Sequence, residues 1–137
     1  MAVEITTRGL DELNRRLTTL VPQAARRALN AALMAGGRVV VREAKARVYT
    51  VVKKRTGNLK RGIRARVARP LQTQATAAVH VGVRRDAFYG MFIELGSSGH
   101  PARPFLRPAF ENSIEEVVVT VAKRLRERIE IEAANAL

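Results

Sequence analysis

Residues 89–109 read Tyr89-Gly-Met-Phe-Ile-Glu-Leu-Gly96-Ser-Ser-Gly-His-Pro101-Ala-Arg-Pro104-Phe-Leu-Arg-Pro108-Ala109, and this stretch decides how the C-terminal half of the chain folds. It combines an aromatic and acidic run, a glycine loop and three prolines. Pro104 and Pro108 lack an amide donor, so the last helix cannot begin much before Leu106 if Pro108 is to lie in its first turn, where amides have no helical partner. The stretch therefore predicts a fixed corner that leads into a C-terminal helix.

The chain beyond this corner has the spacing of an amphipathic helix. Apolar residues recur at intervals of three and four, and charged residues occupy the other side. The apolar positions are Phe110, Ile114, Val117, Val118, Val121, Leu125 and Ile129. Upstream of the corner, residues 88–95 fit either a strand or a helical turn, because their periodicity does not distinguish the two.

The N-terminal part predicts a second helical layer. Residues 2–7 alternate like a short edge strand, and Asp11 then begins a helix that Pro22 ends. Pro22 also suits the first turn of a long amphipathic helix that extends to about residue 49. Its stripe of small apolar residues needs a partner that packs closely against it. Gly36 and Gly37 lie in the middle and should weaken or bend the helix by roughly 1 kcal/mol each.

Two alternating runs predict a β-hairpin between the long helices. In the first run, Ile63, Ala65 and Val67 alternate with arginines, and in the second, over about residues 76–84, three valines face inward. The two runs should pair as antiparallel strands across residues 71–75. We therefore expect an α+β fold in a single domain over residues 1–137, with long amphipathic helices packed on a small antiparallel β-sheet.

Positive charge is concentrated in one part of the chain. The net charge is +13, and residues 44–85 hold 12 of the 25 lysines and arginines but none of the 12 acidic residues. Such clustering predicts a local electropositive surface that faces a polyanion or an acidic partner. The predicted surface comprises Lys53, Lys54, Arg55, Lys60, Arg61, Arg64, Arg66 and Arg69. Any contact with DNA should be directed to the backbone and sensitive to salt, since no stacking platform or base-reading motif accompanies the charge.

Few residues suit catalysis. The absence of cysteine excludes disulfides and thiolate chemistry, and the two histidines, His80 and His100, have no companion ligands at metal-binding spacing. Phosphate-binding and dinucleotide-binding glycine motifs are also absent. We therefore expect no enzymatic activity, no cofactor and no metal. No apolar run has the length of a signal peptide or a membrane span, so we expect a soluble, unprocessed protein without membrane contact.

Individual side chains of residues 89–109 have predictable roles. Tyr89 and Phe92 are expected in the core, and Phe105 is expected to anchor the corner onto the body. Glu94 has two interpretations: it is solvated on the outer face of a strand, or it pairs with an arginine within the chain or across a subunit boundary.

Three blocks of the sequence resemble, in order, the family of phage tail components typified by gene product ten of phage HK-ninety-seven. The first is Thr56-Gly-Asn-Leu-Lys-Arg-Gly-Ile63, the second is Val81-Gly82, and the third is the stretch 89–109. The third is the most specific, with its Tyr-x-x-Phe-x-Glu-x-Gly and Pro-x-x-Pro-Phe-Leu-x-Pro-Ala spacings. The Gly-Leu-Asp-Glu-Leu run at residues 9–13 adds to the resemblance, whereas Gly-Ser at residues 96–97 departs from the commoner Gly-Thr.

The resemblance implies a structural protein of a tailed bacteriophage or prophage, at the head-tail junction (the neck) or in tail completion. It implies a homo-oligomeric ring around the DNA passage and contacts with other neck, portal-side or tail proteins. Non-specific contact with the DNA backbone is expected from the basic segment. The protein would reside in the virion, and in the host cytoplasm during assembly. The motif residues expected at the corner or an interface are Tyr89, Phe92, Glu94, Gly96, Pro101, Pro104, Phe105 and Pro108. The alternative is a sequence-independent DNA-binding protein that acts through the basic central segment.

Overall fold

A computed structural model describes residues 11–54, 56–68 and 77–135 of the chain. Its framework is a pair of 30-residue helices, α2 and α5, which pack against each other along much of their length. A two-stranded sheet packs on α2 beside them. The elements in chain order are α1 (Asp11–Thr18), α2 (Pro22–Val51), α3 (Asn58–Gly62), β1 (Ile63–Val67), β2 (Val79–Val83), α4 (Tyr89–Leu95) and α5 (Leu106–Asn135).

The predicted α+β arrangement of long helices on a small antiparallel sheet is confirmed. Helix α1 begins at Asp11, and Pro22 occupies the first turn of α2, as predicted. Helix α5 begins at Leu106 with Pro108 in its first turn, which also agrees with the prediction. The predicted strand over residues 2–7 and the hairpin turn over residues 71–75 lie outside the described residues.

The two long helices run antiparallel and are joined by ion pairs at two points along their length. The guanidinium of Arg27, early in α2, donates two hydrogen bonds to the carboxylate of Glu132, late in α5, at 3.1 and 2.8 Å. Arg128 donates to the same carboxylate at 3.2 Å, and Glu132 is only 5% exposed. Further along, Arg42 pairs with Glu116 at 2.7 Å. The hydrogen bond and charge of Arg27 lower the pKa of Glu132 below its ordinary value of 4.5.

Gly36 and Gly37 serve close packing in the middle of α2. The helix continues through both glycines. A Cβ at Gly36 would lie 2.5 Å from Cγ2 of Val121 on α5. A Cβ at Gly37 would lie 3.0 Å from both the Cβ of Ala65 and Cγ1 of Val79 on the sheet. One glycine thus allows α5 to approach α2, and the next allows the sheet to do so, which confirms the closely packed partner that the small-residue stripe predicted.

The buried stripe of α5 repeats every four residues, and this corrects the predicted apolar face. Ile114 was expected inside but is 45% exposed. Ser113 takes the inner position instead, and its hydroxyl donates to the carbonyl of Ala109 at 2.6 Å. Four residues turn a helix by about 400°, so such a stripe moves about 40° around the axis at each step. The stripe comprises Ala109, Ser113, Val117, Val121, Leu125 and Ile129.

The hairpin has the predicted pairing and the predicted two faces. Strands β1 and β2 are antiparallel, with Ile63 opposite Val83 and Val67 opposite Val79. Ile63 and Val79 are buried, and the arginines of β1 are exposed on the outer face. Val67 departs from the prediction, because it lies at the open end of the strand and is 40% exposed. Residues 52–62 form the connector between α2 and β1, and it contains the short helix α3, whose Leu59 is buried.

Candidate interaction surface

Phe88 directly precedes helix α4. The two aromatic residues of α4 that were predicted for the core, Tyr89 and Phe92, are exposed to solvent. Tyr89 is 42% exposed and Phe92 is 54% exposed, so that prediction is wrong. Gly90 is the residue that faces inward, since a Cβ there would lie 2.6 Å from Cδ1 of Leu59 and 3.1 Å from Cγ1 of Val83. Because α4 approaches the body through a glycine, its large side chains remain on the outside.

These outward side chains form a continuous apolar face. Phe88, Met91, Phe92 and Leu95 follow the i, i+3, i+4, i+7 spacing that places residues on one side of a helix. All four are exposed, Leu95 to 68%. The rings of Phe88 and Phe92 contact edge to face with centroids 5.9 Å apart. Exposed apolar side chains that are contiguous, rather than scattered, mark interaction sites. We call these four residues the α4 apolar face.

Glu94 binds the N-terminus of α5. Its Oε2 accepts hydrogen bonds from the backbone amides of Phe105 and Leu106 at 2.6 and 2.8 Å, and its Oε1 accepts one from Arg107 at 2.9 Å. The first amides of a helix have no partner within the helix, and a negative charge beside them is favourable. Neither predicted role, solvation or pairing with arginine, describes this carboxylate. The sequence did contain a signal, because Pro104 and Phe105 offer no side-chain acceptor at the start of α5.

Backbone contacts complete the corner between α4 and α5. The amide of Arg103 donates to the carbonyl of Ile93 at 2.7 Å, and Ser97 and His100 exchange two backbone hydrogen bonds at 3.0 and 2.9 Å. Gly96 has φ 80°, and a Cβ there would lie 2.9 Å from the amide nitrogen of Ala102. Only glycine fits this position without strain.

The predicted anchoring role of Phe105 is confirmed, because the side chain is fully buried next to the start of α5. Pro101 and Pro104 are exposed in the extended segment before it, and Pro108 is half-buried in the first turn of the helix. The prolines therefore shape the corner, whereas the aromatic ring attaches it to the core.

A cationic groove lies between the hairpin and α4. It is open to solvent, has a volume of about 1430 Å³ and is lined by residues of β1, β2, α4, the first turn of α5 and residues 84–86, which link β2 to α4. Among the described residues, Arg64, Arg66, Arg85 and Arg107 have no ion pair, and Arg84 pairs with Asp86 at 3.2 Å. The lining thus holds five arginines against the two carboxylates of Asp86 and Glu94, so the groove is positive overall. Met91 and Leu95 of the α4 apolar face also line it. We refer to it as the cationic groove.

The other predicted basic residues do not extend this groove. Lys53 lines a separate pocket of about 490 Å³ together with Tyr49, Asn58 and Tyr89, and both Lys54 and Lys60 are exposed elsewhere. The guanidinium of Arg61 donates to the carbonyl of Thr56 at 3.2 Å and to the side chain of Asn58, so it stabilises its own connector. Arg55 and Arg69 lie outside the described residues. The structure thus divides the predicted basic surface into an arginine groove and a lysine-bearing connector.

The described part of the chain shows no arrangement suited to metal binding. No three of its histidine, aspartate and glutamate side chains come close enough together to hold a metal ion. Within the same residues, none of the helices combines the length and the apolar character needed to cross a bilayer.

The chain matches one protein-family model over residues 11–96. The family is HK97-gp10-like, described as "Bacteriophage HK97-gp10, putative tail-component". No curated protein and no solved structure matches the chain. The matched residues run from the start of α1 to the end of α4. They include every residue that lines the cationic groove except Leu106 and Arg107 of α5.

Proposed function

The chain belongs to the HK97-gp10-like family of bacteriophage tail components, and on this basis we propose that it is a structural protein of a tailed phage or prophage. It acts at the head-tail junction or in tail completion, as a subunit of an oligomeric ring around the DNA passage. Its partners are copies of itself and neighbouring neck, portal-side or tail proteins. Its place is the virion, which it joins after synthesis in the host cytoplasm.

The α4 apolar face is the observation that supports this role best. A helix that leaves Phe88, Phe92 and Leu95 in water is costly for a protein that works alone, because burial of each such side chain is worth about 1.5–3 kcal/mol. A subunit of an assembly recovers this free energy when a neighbour covers the face. The adjacent cationic groove adds the charge that orients a partner.

We propose further that the tail-component domain includes α5, beyond the matched residues. Phe105, Val117 and Ile129 are buried against the rest of the core, so α5 cannot be separated from α2 without exposing it. In this proposal residues 1–137 form one domain. The role is non-catalytic and needs no cofactor, which is consistent with a family of tail components.

The exposed lysines near the connector are proposed to face DNA in the channel or an acidic neighbouring protein. The test replaces Lys53, Lys54 and Lys60 together with glutamate in a phage or prophage that depends on this gene. Arg61 is left intact, because its contacts with Thr56 and Asn58 stabilise the connector. We expect particles in which heads and tails fail to join or DNA is lost.

The control variant replaces Arg38, Lys123 and Arg126 with glutamate, which changes the net charge equally at exposed positions on the two long helices. It should support normal particle formation. Fully infectious particles from the lysine variant would contradict the role assigned to these residues.

A sequence-independent DNA-binding protein is the second candidate, and the charge distribution favours it. Residues 44–85 contain 12 basic and no acidic residues. Such a protein should bind any duplex with an affinity that falls steeply with salt, because binding releases condensed counterions. It should also be absent from purified particles. Duplex binding titrated against salt, together with particle composition, therefore separates the two candidates.

A further inference from the structure

An exposed strip on α5 has the opposite character to the cationic groove. Glu111, Ile114, Glu115, Val118 and Val119 follow the spacing that places residues on one side of a helix. Ile114 is 45% exposed and Val119 is 67% exposed. Neither Glu111 nor Glu115 forms an ion pair with any described residue. We call these five residues the acidic strip.

The cationic groove and the acidic strip match in charge, in apolar content and in length. The groove offers unpaired Arg64 and Arg66 beside the apolar Met91 and Leu95. From Glu111 to Val119 a helix rises about 12 Å. Along β1 the four steps from Ile63 to Val67 cover about 13 Å. A helix bearing the strip can therefore lie along the hairpin with its carboxylates opposite the arginines.

We propose that the cationic groove of one copy of the chain binds the acidic strip of a second copy. Glu111 and Glu115 pair with Arg64 and Arg66, while Ile114 and Val119 cover Leu95 and Met91. The inference deepens the proposed ring and rests on it, since it identifies the surfaces through which neighbouring subunits touch.

A second copy fits the groove better than DNA does. Phosphates would pair with the arginines but would leave Met91 and Leu95 largely uncovered, because the phosphates of a DNA backbone are charged and cannot bury apolar side chains. A different acidic protein would fill the groove but leave the acidic strip of this chain uncovered. Only self-association covers both surfaces at once.

The contact joins two different patches, so after a single association one copy keeps a free strip and the other keeps a free groove. Interfaces of this kind continue from copy to copy and close into a ring when the rotation allows. The predicted basic residues then divide by role: Arg64 and Arg66 face the neighbouring copy, and Lys53, Lys54 and Lys60 remain for DNA or another protein.

Disulfide trapping in purified full-length protein tests the contact directly. The chain has no cysteine, so Arg66→Cys and Glu115→Cys each introduce a single thiol. A mixture of the two variants under mild oxidation should yield a cross-linked pair containing one of each, and neither variant alone should cross-link. In the control mixture, Arg126→Cys replaces Glu115→Cys and should give no product, because Arg126 is exposed on α5 outside the strip.

Charge exchange provides the second measurement. Arg64→Glu with Arg66→Glu places acids in the groove, and Glu111→Lys with Glu115→Lys places bases on the strip. Each pair alone should weaken self-association at least about tenfold by sedimentation, because like charges then face each other. Mixing the two variants, or combining all four changes in one chain, should restore it.

Three outcomes would overturn the proposal: no mixed cross-link, unchanged self-association in both charge variants, or failure of the exchange to restore it. Loss of duplex DNA binding in the groove variant with no change in assembly would identify the groove as a DNA site instead. The structural role itself is tested separately by particle composition. A trapped groove-strip pair from a chain absent from particles would refute the proposed function but keep the contact.

Discussion

Glu94 closes the N-terminus of α5 by accepting a hydrogen bond from the backbone amide of Leu106 at 2.8 Å, across the glycine loop that separates the two helices. Because Glu94 lies on α4, this contact also fixes how α4 stands relative to α5. The α4 apolar face, part of which lines the cationic groove, is therefore held in place by a contact with α5. Helix α5 also carries the acidic strip. Stability of the corner and geometry of the interaction surface depend on the same carboxylate.

Removal of this carboxylate should destabilise the protein. Glu94→Ala leaves three amides at the start of α5 without their acceptor, and we expect a loss of about 2–3 kcal/mol in the free energy of unfolding. Glu94→Gln keeps one acceptor oxygen but loses the charge, so its loss should be intermediate. Urea denaturation measures both. Glu130→Ala, an exposed change on α5, should lie within about 0.5 kcal/mol of wild type. Equal stability of Glu94→Ala and wild type would contradict the capping role.

Addition of one methyl group at Gly36 should also be harmful. Alanine favours a helix over glycine by about 1 kcal/mol, but its Cβ would collide with Cγ2 of Val121 at 2.5 Å. Overpacking costs about 1–3 kcal/mol, so Gly36→Ala should give a net destabilisation. The cost of Gly36→Ala should be smaller when it is measured in a chain that already carries Val121→Ala. Gly82→Ala is the control, because nothing lies within 4 Å of a Cβ there. A more stable Gly36→Ala protein would show that α5 does not approach α2 this closely.

The ion pair of Arg27 and Glu132 predicts a pH dependence of stability. The pKa of Glu132 is lowered in the folded protein from 4.5, chiefly by the hydrogen bond from Arg27. The stabilisation that ionised Glu132 gives to the folded protein is therefore fully present above pH 4.5. It is lost as the pH falls through the lowered pKa of Glu132 in the folded state. The difference in unfolding free energy between wild type and Glu132→Gln should be larger at about pH 7 than at about pH 3. Glu130→Gln should show no such dependence. A difference between wild type and Glu132→Gln that becomes larger in acid would contradict the prediction.

Leu95 and Leu59 provide a matched test of which side of α4 faces solvent and which side faces the core. Leu95 is 68% exposed on the α4 apolar face, whereas Leu59 is 4% exposed beneath α4. Leu95→Ser should change the free energy of unfolding by less than about 0.5 kcal/mol and weaken self-association. Leu59→Ser should cost about 3 kcal/mol or more, because it leaves a cavity and a buried hydroxyl. A large loss of monomer stability in Leu95→Ser would mean that α4 buries this side chain.

The sequence predicts the long helices and the hairpin because their signals are local and periodic. Pro22 and Pro108 determine where helices begin. The alternation of apolar residues with arginines in β1, and of valines with His80 and Gly82 in β2, determines which face of each strand is outside. The cap by Glu94 could not be predicted from periodicity, because its acceptor and donors lie on different helices and meet only through the tertiary corner.

The aromatic residues of α4 were misplaced for a related reason. Size and hydrophobicity predict burial of Tyr89 and Phe92, but the contact between α4 and the body is made by Gly90, which can approach Leu59 as no larger residue can. Likewise, Ile114 fits an ideal 3.6-residue period, whereas α5 crosses α2 with a four-residue repeat that selects Ser113. Phe92 of the α4 apolar face and Ile114 of the acidic strip are thus exposed residues that a simple pattern assigns to the core.

The most direct measurement is the number of copies of this chain per intact tailed particle, determined by quantitative mass spectrometry of particles made with the complete structural gene set. A structural ring predicts a small fixed number, about six or twelve, the same in every preparation, as closed symmetry requires. Absence from finished particles, or a copy number that varies between preparations, would contradict the structural role and favour a DNA-binding protein of the host cytoplasm.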